Sequence, residues 1–600
     1  MQSSPMDFLR ALPGKKSFWR TAALILAAAF YALSLNLVAY QPSLTEQWAA
    51  FFIWILAIGL TLASVLDFKQ IWQSLSEPWR EEPAIIAAVL GLAVLASFVL
   101  LRQYPFVALG DQVRDGGLEA SRLLTGAFPN IFAYTPYDAA GLVVPTLLIP
   151  FYKLFGNSVY TWRFPAALLG CLDVYLLFLL ARNYFSKRVA ALAAITLIAI
   201  PLHLYYSRTE FFVMLSGIQS TLILILIHYC LRLGRYRDYV LLGVSLGFIT
   251  GCYASVRTVV FFSFIIIAFV LLKQAWQFYG ETVSGHQLFT TKFKHTFKAL
   301  GIPAKKVIFL LLFFLVGFGP RLLSTTPRIF FHTDVVPVFS AQTSGLEQHA
   351  DVSTLGGKYV KSLLAYISEP VGYHIKDYRP LLAWPLNLLF LAGLIILLTQ
   401  YRHYWYFLFI FGLPLTNSAI TDQINADHRL TPLLPFCALG VALGADLIIK
   451  IFHKAYPGNK PVYAMVTAAL IACLLWPGVF FFYHRSAAIG YNSTDYLSMD
   501  AEYFLQNINA GQVCLTASAD NFSYLNLLHV KEQYEYFNPT TAVTLSQIPN
   551  LPNNVLDISK TCGNSDPAAS FKYCGNPDFW FCPINDSTPL FLRVDKNLVP

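Results

Sequence analysis

The chain has 600 residues, of which 56% are hydrophobic and only 12% charged, against roughly 25% charged in an ordinary soluble protein. That balance excludes a soluble globular domain. The formal charge of +9 collects in short loops between apolar runs, which argues against a nucleic-acid partner and follows the positive-inside pattern of membrane proteins.

Apolar runs of about 20 residues, the length that crosses a bilayer core as a helix, recur along most of the sequence. They predict an all-α polytopic membrane protein with about thirteen transmembrane helices. The spans fall near 18–40, 48–66, 83–101, 162–181, 189–206, 211–231, 239–256, 258–272, 307–320, 381–400, 404–420, 431–449 and 461–483. The first run is too long, and lacks the small-residue cleavage site, for a cleavable signal.

An inside N-terminus makes every basic short loop cytoplasmic. Arg10, Lys15, Lys16 and Arg20 precede the first span, and Arg182, Lys187 and Arg188 follow the fourth. Arg232, Arg235 and Arg237 follow the sixth, Lys273 to Lys306 the eighth, and Lys450, Lys454 and Lys460 the twelfth. Parity then puts three segments on the outer, periplasmic face of an inner (plasma) membrane: outer loop 102–161, outer loop 321–380 and the tail. The domains expected are a two-helix extension over 1–82, a transmembrane core over 83–483, and a small periplasmic α/β domain over 484–600. The apolar segment Gly141 to Gly156 carries Pro145 and Pro150 and is too short for a span. It reads as a helix lying in the outer interface.

In the tail, 495–508 is expected as an amphipathic helix, 512–517 as a strand, 521–529 as a helix and 533–537 as a strand. Cys171, Cys230, Cys252, Cys437 and Cys473 lie in or beside spans and read as packing residues, whereas Cys514, Cys562, Cys574 and Cys582 lie in the tail. Four tail cysteines suit two disulfides in an oxidising compartment, with three connectivities open. Zinc is the rival reading, disfavoured by the lack of a CxxC.

The polar stretch after the third span, Asp111-Gln112-Val-Arg114-Asp115-Gly-Gly-Leu-Glu119, has apolar segments on both sides. Asp111 and Asp115 are four apart and would share one helical face. They are the candidate catalytic acids, and the plain alternative is a solvated loop. Arginines mark several outer span ends: Arg163, Arg208 beside Tyr205 and Glu210, Arg257, and Arg429 after His428. One arginine alone snorkels to lipid headgroups; several at one depth would grip phosphate. The outer histidines show no HxH or HExxH spacing, so no metal site is expected from them. No Walker loop or strand-borne GxGxxG is present.

These stretches resemble a family. Gly110-Asp111-Gln112-Val-Arg114-Asp115 with Leu-Leu-Thr-Gly126 is similar to the first outer loop of bacterial GT-C glycosyltransferases. That group includes protein mannosyltransferases, the lipid A aminoarabinose transferase and lipopolysaccharide glycosyltransferases. Leu147 to Gly156 followed by Arg163-Phe-Pro-Ala-Ala-Leu-Leu-Gly170 resembles the group's interfacial helix and next span. Leu202-His-Leu-Tyr-Tyr-Ser-Arg208 resembles its span-end arginine motif, and His428-Arg429-Leu-Thr-Pro-Leu-Leu-Pro435 its late span start. The resemblance covers roughly 83–450. It departs from the group at Gln112, where many members have a second acid, and in the two added N-terminal spans.

The resemblance implies a polyprenyl-phosphate-linked sugar donor in the membrane lipid and a glycan, lipid or protein acceptor. Asp111 would be the general base, with Asp115 and Gln112 beside it. Arg163, Arg208, Arg257 and Arg429 would bind the lipid phosphate, supported by Tyr205, Glu210 and His428. Some relatives use a divalent cation at the acidic loop; with Gln112 in place of an acid, no tightly held metal is expected. Two rivals share the composition: a flippase for a lipid-linked glycan, and a surface-polysaccharide polymerase or ligase.

Overall fold

The computed structural model describes residues 15–39, 43–66, 76–101, 107–108, 120, 123, 131–132, 141–156, 159–209, 211–283, 305–324, 352–371, 380–400 and 427–480, with short strands at 497–498, 513–515, 555–558, 570–571 and 591–594. Seven of the described helices are long and apolar enough to cross a membrane, or eight if one bent pair counts as a single span. The sequence expectation was thirteen; the span expected over 404–420 lies outside the described residues.

The chain opens with a helical hairpin, Lys15–Val38 and Leu44–Val65. Its second helix starts at a capping box. Ser43 Oγ accepts from Glu46 N–H at 3.3 Å, and Glu46 Oε2 accepts from Ser43 N–H at 2.7 Å. Two of the four orphan N–H groups at that end are thereby satisfied reciprocally. Pro83–Phe98 follows, with proline in its first turn, where the missing N–H costs nothing.

The expected fifth span is broken. Lys187–Ala199 and Pro201–Thr209 meet at 64°. Ile200 sits between them in an extended conformation, which is what the ring of the following proline imposes on its predecessor. The apolar segment after Gly141 comprises Val143–Thr146 and Ile149–Phe155, joined at Leu147 and Leu148. Leu147 and Leu148 keep right-handed helical dihedrals, so Val143–Phe155 is one short apolar helix, as expected there.

The centre of the bundle is built by Val159–Tyr184, Lys187–Ala199, Phe211–Leu233 and Leu434–Ala455. Phe211–Leu233 is 83% buried over its apolar window, whereas Phe18–Val38 and Lys460–Phe480 are 17% buried. The latter two are therefore peripheral, and their exposed Phe18, Trp19, Met465 and Trp476 suit a surface solvated by lipid. Leu386–Thr399 packs on Leu434–Ala455 at glycine contacts. A Cβ on Gly393 would fall onto the Gly440 carbonyl, and one on Gly444 onto that of Leu389. Small residues let membrane helices approach this closely. At the basic end of the bundle, Asp446 pairs with Arg188 at 2.5 Å and Lys450 at 2.8 Å, and Arg188 also donates to the Tyr463 hydroxyl. The buried carboxylate joins two helices, and Arg188 links a third through Tyr463.

In the tail, Val513–Leu515 falls inside the expected strand 512–517. It pairs antiparallel with Val555–Ile558, which lies parallel to Phe591–Val594, which pairs antiparallel with Ser570–Phe571. One expectation is corrected. Leu497–Ser498, inside the stretch expected as a helix over 495–508, form a strand paired antiparallel with Val107–Ala108, in the register Val107↔Ser498 and Ala108↔Leu497. A partner far away in sequence satisfies the backbone there, and local amphipathic periodicity cannot register such a partner. The expected helix 521–529, strand 533–537 and tail disulfides lie outside the described residues.

Candidate functional site

Asp111, Gln112, Asp115 and Glu210 lie outside the described residues. Their flanks do not. The helix Pro83–Phe98, which leads into the acid loop, ends in carbonyls that its own helix cannot satisfy. Two arginines from other helices meet them. Arg208 donates from both terminal nitrogens, to the Ala96 carbonyl at 2.6 Å and the Val99 carbonyl at 2.7 Å. Arg163 donates to the Leu101 carbonyl at 3.0 Å. Both side chains are buried, at 2% and 0% exposure. Cations at a helix C-terminus also complement its dipole. The kink at Ile200 turns Pro201–Thr209 so that Arg208, in its last turn, reaches this helix end.

The loop's far end is fixed by backbone. Gly141 N–H donates to the Gly251 and Cys252 carbonyls at 3.2 and 3.3 Å. A Cβ on Gly141 would overlap the Gly251 carbonyl, so this approach needs glycine. In its middle, Ala120 and Leu123 are buried.

A second group gathers where Asp427–Leu430 and the 3₁₀ turn Thr431–Leu433 pack against Ala254–Val283 and Phe211–Leu233. It brings Arg257 and His428, both buried, onto adjoining elements with the half-buried Arg429. The His428 ring lies 6.5 Å from the Tyr253 ring, edge to face. Tyr205 is buried with its ring 5.1 Å from that of Tyr206. The four sequence-predicted arginines thus fall into two pairs, Arg163 with Arg208 at the root of the acid loop, and Arg257 with Arg429 at the opening of the late span.

Two features were not singled out as sites in the sequence. Arg321, at the start of the segment 321–380, is fully buried. Its guanidinium lies 5.2 Å from the Trp54 ring, 5.3 Å from Phe318 and 5.8 Å from Phe248. It also donates to the Phe318 carbonyl at 2.9 Å and the Phe248 carbonyl at 3.1 Å. A Cβ on Gly251 would overlap this guanidinium. The signal for it was present: Arg321 is one more arginine at the end of a predicted span. The second feature is a buried polar cluster. Asp173, fully buried within Val159–Tyr184, accepts from Thr221 Oγ1 at 2.8 Å, and its other oxygen lies 3.9 Å from His203 Nε2. Neither of those two atoms has a hydrogen-bond partner among the described residues. A Cβ on Gly217 would lie 3.2 Å from the same carboxylate oxygen.

Residues 139–284 match the family model of dolichyl-phosphate-mannose-protein mannosyltransferases. The segment carries Arg163, Arg208, Arg257, Asp173 and His203, and the match agrees with the resemblance to GT-C membrane glycosyltransferases read from the sequence. No curated protein matches the chain. Among solved structures, the chain is similar to the archaeal oligosaccharyltransferase AglB from Archaeoglobus fulgidus, in complex with an inhibitory peptide and a dolichol-phosphate, at 13% identity and a TM-score of 0.40. That match covers 80% of this chain and 62% of that one, so the chain spans about three fifths of that protein's length. It is also similar to ArnT from Cupriavidus metallidurans in the apo state, at 12% identity and a TM-score of 0.43, over 74% of this chain and 84% of that one. ArnT bound to undecaprenyl phosphate matches at 15% identity and a TM-score of 0.36, over 67% of this chain and 73% of that one.

Proposed function

We propose that this membrane protein transfers a sugar from a polyprenyl-phosphate donor to an acceptor hydroxyl on the outer face, with Asp111 as general base. The observation that carries the reading is the match of residues 139–284 to a lipid-phosphate-sugar transferase family, because that stretch supplies three of the four outer arginines. Asp111 takes the proton of the acceptor O–H as its oxygen bonds to the anomeric carbon. The bond from that carbon to the phosphate oxygen breaks, and its electron pair leaves with the polyprenyl phosphate. Positive groups aimed at that oxygen stabilise the charge as it develops. Arg257 and Arg429 are assigned this role. Arg163 and Arg208 contribute by holding the end of the helix that leads into the acid loop, since their guanidinium groups bind carbonyls in its last turn and in the turn that follows.

The test is sugar transfer by wild type and Asp111→Asn, with membrane extract supplying labelled prenyl-linked donor and acceptor. Loss of at least about 100-fold in an equally folded variant, the low end for an acid–base group, supports the base. Equal transfer by both removes Asp111 from the chemistry and makes Asp115 the candidate. One observation favours a second reading, a flippase for the lipid-linked sugar. The proline-broken pair Lys187–Ala199 and Pro201–Thr209 lies beside the buried Asp173–His203 pair, and broken helices with buried ionisable groups line transport paths. Donor crossing liposomes without any transfer would decide for it.

A further inference from the structure

We infer that the N-terminal hairpin, Lys15–Val65, is a positioning element for the acid loop, acting through Gln47 and Trp54. This rests on the proposed role of Asp111. The hairpin reads from sequence as an addition to the transmembrane core. In the structure its second helix is wedged between the loop and the core. Gln47 is 1% exposed, and its Oε1 accepts from the backbone N–H of Ile131 at 2.8 Å. Two helical turns later on the same face, Trp54 is fully buried. Its ring meets Phe132 edge to face at 6.3 Å and stacks on Phe248 at 5.9 Å. Its indole N–H donates to the Val316 carbonyl at 2.8 Å, and Arg321 lies over its face. Val38, Ala50, Phe51, Leu123, Leu142 and Val143 close the apolar cluster around these contacts.

The first outer loop is therefore fastened at three places. Arg163 and Arg208 hold its root, Gln47 and Trp54 hold Ile131 and Phe132, and the backbone of Gly251 and Cys252 holds Gly141. Asp111 lies in sequence between the first and second of these. A base displaced by about 1 Å loses on the order of 100-fold in rate. Trp54 also touches Arg321, so one helix bears on both outer loops. None of these hairpin contacts involves Arg257 or Arg429. Loosening the hairpin thus lowers kcat and spares KM for the lipid-linked donor.

The experiment uses the full-length protein in detergent. Gln47→Met keeps the side chain's length and removes the acceptor; Gln47→Glu restores an acceptor oxygen. The first readout is kcat and donor KM. The second, independent of chemistry, is the rate of tryptic cleavage after Arg114 and Arg122. Gln47→Met is expected to lower kcat by about 10- to 100-fold with donor KM changed less than about 2-fold, and to speed cleavage; Gln47→Glu reverses both. Unchanged kcat and unchanged cleavage in Gln47→Met overturn the inference and leave the transferase reading standing. A wild type without transfer activity whose cleavage still responds to Gln47→Met and is restored by Gln47→Glu keeps the hairpin's role and overturns the transferase reading. A Gln47→Met effect that Gln47→Glu does not reverse, or a loss in donor KM alone, also overturns it.

Discussion

Replacing Arg208 by Met removes two hydrogen bonds from the end of Pro83–Phe98 and leaves the Ala96 and Val99 carbonyls without them. Side-chain bonds between membrane helices are worth about 0.6–1.7 kcal/mol each, so two give about 1–3 kcal/mol. Counted as bonds to a charged donor, at about 1.5–3 kcal/mol each, they give about 3–6 kcal/mol. The two ranges meet near 3 kcal/mol, and at 2% exposure solvent screens little of it. Arg208→Lys has one nitrogen for two acceptors and recovers about half. The sharper measurement is a double-mutant cycle with Arg163→Met, read by reversible unfolding in mixed micelles. Arg163 binds Leu101, in the turn that follows the same helix end. If the two arginines act on one structural unit, the cycle shows a coupling of about 0.5–3 kcal/mol. Additivity within about 0.3 kcal/mol would refute the shared helix-end role, and an Arg208→Met protein as stable as wild type would refute the capping itself.

Two further outcomes follow from the same contacts. Gly251→Ala places a methyl group on the Arg321 guanidinium and is expected to cost about 1–3 kcal/mol or more by overpacking; Gly251→Ala combined with Arg321→Ala should regain part of it, and no thermal shift in the single variant would count against this packing. Asp173→Asn keeps an oxygen to accept from Thr221 but removes the carboxylate facing His203; under the transferase reading sugar transfer persists within about 10-fold, below the range of an acid–base group, whereas abolished donor flipping in liposomes would support a transport path.

Hydrophobic run length was enough to locate the helices at 15–38, 44–65 and 434–455, because lipid forces every backbone polar group into internal pairing. Pro201 carried the signal for the bend at Ile200, but a window of apolar residues averages across it. The arginines at span ends were visible as residues and not as partners. Arg208 could be placed at an outer edge, yet nothing local showed that the carbonyls it binds belong to Ala96 and Val99, 112 and 109 residues away. Gln47 was hidden for the same reason, since its acceptor serves Ile131, 84 residues on. The strand at Leu497–Ser498 was misread as helix because its partner is Val107–Ala108. What composition and periodicity encode is the local choice of element; which polar group meets which is fixed only when the bundle closes.

The pairing of Val107–Ala108 with Leu497–Ser498 also imposes an order in time. Chains are made from the N-terminus at about 5–20 residues per second, so the two strands, about 390 residues apart, are synthesised roughly 20–80 s apart. The hairpin that holds Ile131 and Phe132 emerges before the acid loop, and the tail strand emerges long after it. A ribosome that has just delivered the loop has therefore already delivered its first clasp and still owes it the last one.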